Sequence, residues 1–225
     1  MALFILPLFT FAYDAEVDGI YYNLVPKAKE AEVTSGDKKY TGDVVIPPSF
    51  THDGVTYTVN KISDGAFSSC EFLNSVYIPG SVKIISASAF RGCRTLNTVI
   101  MENGVEKIDS WAFSGCNLKT VEIPASIREI GDWPFDYNPL EKVIIQDIAS
   151  WCNVKFGYHP DTNPLNITHH LCLSTNVDQE VTNLVIPNGV TSIGNDVFRG
   201  CLYLTSISIP NSVTSIGSYA FAGCI

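Results

Sequence analysis

Residues 186–201 read IPNGVTSIGNDVFRGC and residues 209–224 read IPNSVTSIGSYAFAGC, so one string returns 23 residues further along the chain. Working outward, phenylalanine recurs every 22 or 23 residues on either side of one 63-residue interval. Three residues after each Phe stands a cysteine or, once, Asn138. The recurring positions are Phe67, Phe90, Phe113, Phe135, Phe198 and Phe221, with Cys70, Cys93, Cys116, Cys201 and Cys224. This period predicts a solenoid with structural ladders, because so short a unit cannot bury its apolar face without neighbours.

A second block, L-x-x-V-x-I-P, precedes most of these turns, as in Leu73 to Pro79. Its last two apolar residues alternate with period two, which predicts a short strand with Val76 and Ile78 pointing inward. Proline cannot donate a ladder hydrogen bond and so ends the strand. The returning half, V-x-x-I-G-x-x-A-F, is expected to be a short helical or irregular segment, since Gly217 disfavours a long helix. Successive strands should pair as a parallel sheet.

The repeat is interrupted twice, which divides the chain into segments. Residues 13–43 are expected to form a small N-terminal β cap, and residues 44–145 to form repeat units with a hairpin insertion at 50–59 around Asp53-Gly54. Residues 146–180 are expected to form an elongated unit, in which residues 147–152 replace the A-F-x-x-C turn and residues 171–173 pair in a hairpin with 181–186. Residues 181–225 return to the regular repeat and are expected to be incomplete at the C-terminus.

The N-terminal run and the overall charge bear on location and partners. Residues 1–12 read MALFILPLFTFA, an apolar run that resembles a truncated signal peptide and is too short for a membrane span. The alternative is a buried first strand, which Pro7 disfavours. The 23 acidic and 14 basic residues give a formal net charge of −9 without any basic run, so nucleic acid is not an expected partner.

From Val44 to Ile225 the chain resembles BspA-type leucine-rich-repeat proteins, whose unit is similar to L-x-x-V-x-I-P-x-S-V-x-x-I-G-x-x-A-F-x-G-C. Trp151-Cys152 and Asn163-Pro164-Leu165 also look like the elongated unit that such proteins carry. The resemblance implies a leucine-rich-repeat solenoid from a bacterial or protist surface protein associated with adhesion to host proteins and cells. The resemblance does not identify a ligand, because proteins of one fold bind unrelated partners.

The spacing of the cysteines and histidines indicates structural rather than catalytic or metal-binding roles. Cysteines spaced one per unit stack in a ladder and make no C-x-x-C zinc pair, so buried thiols are expected, although neighbouring turns are close enough for a bridge. Cys152 and Cys172, both in the elongated unit, are the more plausible disulfide pair. His169-His170 would diverge on a strand or helix, and no G-x-S-x-G, G-x-G-x-x-G or Walker string occurs. We therefore expect neither an enzyme, nor a metal site, nor a cofactor.

What remains is the outward face of the predicted sheet. A solenoid offers an extended surface there, and exposed apolar residues can mark a partner site. The alternative is that β-prone residues only keep the sheet paired. The candidate partner-binding residues are Tyr77, Ile100, Glu122, Lys142, Ile144 and Val185. The predicted function is a secreted or cell-surface module that adheres to a host or matrix protein; the alternative is a structural spacer that presents another domain.

Overall fold

The computed structural model describes residues 13–159 and 162–224, so the leader predicted at residues 1–12 lies outside the described part. The first three strands, β1 (Ala15–Val17), β2 (Ile20–Val25) and β3 (Glu30–Thr34), are antiparallel. The next strand, β4 (Thr41–Val45), already belongs to the repeat, because it pairs in parallel with β7 (Phe72–Ile78). The antiparallel strands cover the first turn through a parallel pairing of β3 with β6 (Val55–Ile62).

A hairpin is inserted in the first unit. Strand β5 (Ser49–His52) pairs antiparallel with β6. Asp53 and Gly54 between them have φ of 47° and 75°. Positive φ at both central residues is the geometry that a two-residue hairpin turn with matching twist requires.

Each repeat turn contributes one front strand and one short returning strand, so the predicted parallel-sheet solenoid is confirmed. The remaining front strands are β9 (Thr98–Met101), β11 (Thr120–Ile123), β13 (Lys142–Ile145), β15 (Leu171–Leu173), β17 (Asn183–Val185) and β19 (Ser206–Ser208). The remaining returning strands are β8 (Ile84–Ile85), β10 (Lys107–Ile108), β12 (Glu129–Ile130), β14 (Lys155–Phe156), β18 (Ser192–Ile193) and β20 (Ser215–Ile216). The front sheet is interrupted between β9 and β11 and again before β17.

The phenylalanines form a stacked ladder in the interior. Phe113 is fully buried, and its ring lies 5.0 Å from Phe90 and 5.6 Å from Phe135, with interplanar angles of 5° and 3°. Phe198 and Phe221, on the C-terminal side of the elongated unit, stack in the same way at 5.5 Å. Offset parallel rings add attraction to the burial of apolar area. The ladder thus ties neighbouring turns together on each side of the elongated unit.

At several turns the residue three positions after the Phe donates a hydrogen bond to the preceding turn. The thiol of Cys93 donates to the carbonyl oxygen of Phe67 at 2.9 Å, and Cys116 donates to Phe90 at 3.2 Å. Asn138 makes the equivalent bond, with its Nδ2 2.8 Å from the Phe113 carbonyl oxygen. The slot therefore needs a small donor rather than a sulfur atom as such.

All seven cysteines are free thiols, so Cys152 and Cys172 form no disulfide. The neighbouring Cys116 and burial raise the pKa of Cys93 to about 12, and burial raises the pKa of Cys152 to about 11. A raised pKa keeps a thiol protonated and chemically inert. Cys93 and Cys152 are thus unreactive, buried thiols.

The elongated unit departs from its predicted layout in two places. Residues 147–152, with helix α1 (Ile148–Trp151), precede β14 and so replace the turn that follows a front strand, not the A-F-x-x-C turn. The A-F-x-x-C place is taken by residues 162–168 with helix α2 (Leu165–Thr168), where Asn163 Nδ2 donates to the Asp196 carbonyl oxygen of the next turn at 2.6 Å. Strand β15 pairs antiparallel with β16 (Asn176–Glu180) rather than with 181–186.

Candidate interaction face

The outward face of β4, β7 and β9 carries an apolar row across three parallel strands. Register places Val45 beside Tyr77 and Tyr77 beside Ile100. Val45 is 66% exposed and Ile100 53%, while Tyr77 between them is half-buried. Alternation explains this exposure, because the residues on either side of Tyr77, Val76 and Ile78, fill the interior. We call Val45, Tyr77 and Ile100 the apolar row.

A polar border fixes the middle residue of the apolar row. The Tyr77 hydroxyl donates to the Glu102 carboxylate, whose second oxygen accepts the Gly80 N–H at 2.9 Å. This hydrogen bond raises the pKa of Tyr77 and, together with the Gly80 amide, lowers the pKa of Glu102. The ring of Tyr77 is thus held in place beside Ile100 by a charge-assisted hydrogen bond.

A shallow hollow of about 340 Å³ runs along this face, between the apolar row and the neighbouring Ser75 and Thr98. Ser75 Oγ donates to Asp43 Oδ1 at 2.6 Å, which adds a second polar border. An apolar centre with a hydrogen-bonded polar margin is the general anatomy of a protein-binding patch.

The other predicted face residues are distributed differently. Glu122 is exposed and accepts a hydrogen bond from Gln146 Nε2 at 3.0 Å. Val185 is 59% exposed, but it lies on β17, beyond a break in the front sheet. The structure therefore brings Tyr77 and Ile100 together and leaves Val185 apart from them.

Ile144 was wrongly predicted to be exposed, since it is only 6% accessible. Lys142, which points to the same side of β13, donates from Nζ to the Val177 carbonyl oxygen at 2.8 Å and pairs with Asp178 at 3.5 Å. Both partners belong to β16, so the Lys142 side chain is anchored to this strand, while Ile144 on the same side of β13 is buried. Lys142 is engaged and only partly exposed.

Val45 was missed because it lies at the junction of cap and repeat, where the leading leucine of the block is absent. The signal was present, since Val44-Val45-Ile46-Pro47 is the V-x-I-P end of the block and puts Val45 at the outward position. Three aromatic residues that lie two residues before a ladder Phe, Trp111, Trp133 and Tyr219, were also missed, because the repeat pattern leaves that position unspecified.

The histidines and a larger cavity lie elsewhere. His169 Nδ1 is 2.8 Å from the Gly200 carbonyl oxygen, and His170 Nδ1 is 2.7 Å from Glu180 Oε2. A cavity of about 840 Å³ opens on the returning side near Lys155 and Asp196. Within residues 13–159 and 162–224, no three His, Cys, Asp or Glu residues are grouped so that they could hold a metal ion. In the same residues, neither short helix is long and apolar enough to cross a membrane.

This architecture defines a leucine-rich-repeat solenoid with an apolar row on its front sheet. The family model described as BspA type leucine rich repeat region matches in six copies over residues 60–163 and 175–225. The chain therefore belongs to the BspA-type leucine-rich-repeat family, as its sequence motifs predicted. No curated protein matches the chain.

Solved structures show the same fold. A leucine-rich repeat protein of T. pallidum is 27% identical with a TM-score of 0.57, over 94% of this chain and 89% of that one. One from Bacteroides capillosus is 28% identical with a TM-score of 0.54, over 59% of this chain and 98% of that one. The pneumococcal vaccine antigen PcpA, at 20% identity and a TM-score of 0.51 over 94% of this chain and 68% of that one, shares the fold alone.

Proposed function

We propose that the chain is a non-enzymatic protein-interaction module of the cell surface or extracellular space, which adheres to a host or matrix protein through the apolar row. The observation that carries this proposal is the row itself. Val45, Tyr77 and Ile100 lie side by side and remain accessible although the interior already holds a full set of apolar residues. An exposed contiguous apolar patch in a folded chain favours a partner surface.

The sequence and the site give further support. The apolar run of residues 1–12 favours export. The buried thiols of Cys93 and Cys152 have raised pKa values and stay protonated. The rings of His169 and His170 are engaged by a carbonyl oxygen and a carboxylate, so none of these four groups is arranged as an activated nucleophile. A solenoid with a wide accessible face is suited to binding rather than to enclosing a substrate.

The test is capture of the purified, folded chain on a panel of immobilised extracellular-matrix proteins. The double variant Tyr77→Glu and Ile100→Lys places charges in the apolar row and should abolish saturable capture. Val185→Lys is the matched control, because it adds a charge to an exposed outward strand residue away from the row. Far-UV circular dichroism would verify that every variant is folded.

Two outcomes would count against the proposal. If the chain is captured and the double variant is captured equally well, the apolar row is not the binding surface. If the folded chain with its N-terminal cap captures no member of the panel, the alternative of a structural spacer gains weight.

A further inference from the structure

One outward position recurs on every regular turn, two residues before the ladder phenylalanine. Its backbone is left-handed in each case, which turns the side chain away from the interior. The residues are Gly65, Ser88, Trp111, Trp133, Asp196 and Tyr219, with φ between 49° and 62°. Bulky residues rarely adopt this conformation, and it costs about 1–2 kcal/mol per residue. Tryptophan at two adjacent turns is therefore a costly arrangement that invites a functional explanation.

The two tryptophans form the end of an aromatic stack. Trp111 and Trp133 stack with ring centroids 5.5 Å apart and an interplanar angle of 17°, and His159 lies against Trp133 at 4.4 Å. The second face of Trp111 is directed toward the preceding turn, where the equivalent residue is the small Ser88. A side chain from another molecule could extend the stack at this point.

On a later turn of the same chain, the aromatic residue at the outward position contacts an arginine that is paired with a carboxylate. Arg199 Nη1 is 2.9 Å from Asp196 Oδ1, and the Arg199 guanidinium lies 5.3 Å from the centre of the Tyr219 ring. Asp196 and Tyr219 occupy the outward position on consecutive turns, and Arg199 directly follows Phe198. Carboxylate, guanidinium and aromatic ring thus form a closed trio.

The same three positions on the earlier turns are Ser88, Arg91 and Trp111. An arginine and an aromatic residue stand at the same positions, but serine stands where the carboxylate would be. Arg91 is exposed and makes no ion pair with any residue of the described ranges 13–159 and 162–224, although the whole chain has a formal net charge of −9. The trio is therefore open on its anionic side.

This open trio borders a cleft of about 550 Å³, lined by Arg91, Arg94, Trp111, Trp133, Asp136 and Tyr137, among others. Arg94 is a second exposed arginine. The Asp136 carboxylate lies on a later turn and accepts the Tyr137 N–H at 3.0 Å. The cleft is thus lined by two arginines and three aromatic rings, against one carboxylate.

We propose that this cleft binds an acidic peptide segment of a protein partner, whose Asp or Glu carboxylate takes the place that Asp196 fills beside Arg199. Charge complementarity supplies the first argument, because an arginine without an ion pair recognises a carboxylate through paired hydrogen bonds. Tryptophan, tyrosine and arginine are also the residues that contribute most to protein interfaces. This favours a polypeptide over an anionic polysaccharide. The cleft does not involve the apolar row, so the two proposals fail independently.

The test is fluorescence anisotropy with a fluorescein-labelled peptide of alternating glutamate and tyrosine, and with its glutamine counterpart. Binding of the acidic peptide alone is expected. Arg91→Gln should weaken it about tenfold, the size of one charge-assisted hydrogen bond. Arg128→Gln is the matched control, because Arg128 bonds to the Ala125 carbonyl oxygen outside the cleft.

The decisive variant is Ser88→Asp, which places a carboxylate at the position of Asp196, three residues before Arg91. Aspartate tolerates the left-handed backbone, so the variant should fold. It should close the trio internally and reduce peptide binding to the level of Arg91→Gln, whereas Tyr77→Glu should leave peptide binding unchanged.

Equal binding by the chain and Ser88→Asp, or equal effects of the Arg91 and Arg128 variants, would overturn the proposal. So would binding of the glutamine peptide, or of a sulfated heparin oligosaccharide in place of the acidic peptide.

Discussion

Replacing a ladder phenylalanine should destabilise the solenoid according to its place in the stack. Phe113→Ala removes a fully buried ring that stacks on Phe90 at 5.0 Å and on Phe135 at 5.6 Å. Buried Phe→Ala substitutions cost about 3–5 kcal/mol. Because Phe113 has ring partners on both sides, each worth about 0.5–1.5 kcal/mol, we expect a loss near the upper end, about 4–5 kcal/mol.

Phe221→Ala is the comparison, because this ring stands at the far end of the described ladder. Phe221 is only partly buried and stacks on Phe198 alone, at 5.5 Å. With less apolar area buried and one stacked pair in place of two, the expected loss is about 2 kcal/mol. Guanidinium chloride unfolding, followed by far-UV circular dichroism and by tryptophan fluorescence, would measure both losses.

A third substitution separates ring stacking from burial. Phe113→Leu keeps an apolar side chain of similar size, so it should cost only about 1–2 kcal/mol. Equal losses for Phe113→Ala and Phe221→Ala would refute the reasoning, because stability would not then depend on contacts with both neighbouring turns. A Phe113→Leu protein as unstable as Phe113→Ala would show that the rings are essential for their shape rather than for their area.

Three further predictions concern single positions, each measured by chemical or thermal unfolding. Asn138→Leu should cost about 1–3 kcal/mol, since it leaves the buried Phe113 carbonyl oxygen without its donor, whereas Asn138→Cys should be nearly neutral; equal losses would contradict this. Tyr137→Gly should stabilise the chain by about 1 kcal/mol, because Tyr137 is 83% exposed at φ 56°, and no gain would mean that its ring makes an unseen contact. The pKa of Cys93 is raised from about 9, where a free thiol ionises, to about 12 in the folded chain. The protonated Cys93 thiol therefore contributes its full stabilisation below about pH 9. The unfolding free energy should therefore fall between about pH 9 and 12, less steeply in Cys93→Ala; identical slopes would refute the assignment.

The sequence predicts the interior of this protein well and its surface less well. Phe113 and Cys116 recur because every turn presents the same hydrogen-bond acceptor and the same apolar space to its neighbour. A residue that must meet the same requirement on every turn recurs at a fixed spacing, so the sequence alone identifies it. The outward side of Tyr77 and Ile100 followed from alternation alone.

Predictions failed where the repeat is interrupted. Alternation correctly places Ile144 on the outward side of β13, but it cannot show that Ile144 is buried there or that Lys142 is engaged by Val177 and Asp178. The same limit applies to residues 147–152, whose Trp-Cys pair resembles the end of a repeat turn although it stands before the returning strand β14. Long-range packing of an insertion leaves no period in the sequence, so only the three-dimensional structure reveals it.

Comparing equivalent positions on successive turns distinguishes residues that the fold requires from residues that are available to bind a partner. Asn138 replaces cysteine in the ladder slot and keeps the hydrogen bond to the preceding Phe carbonyl, so that slot is constrained by the donor that it must supply. Ser88 stands where a later turn has Asp196 and cannot form its ion pair, although an arginine recurs at Arg91. A substitution that preserves an internal contact reveals what the fold requires. One that leaves a charged partner exposed and unmatched, beside an accessible tryptophan, reveals where the fold permits another molecule to complete the interaction.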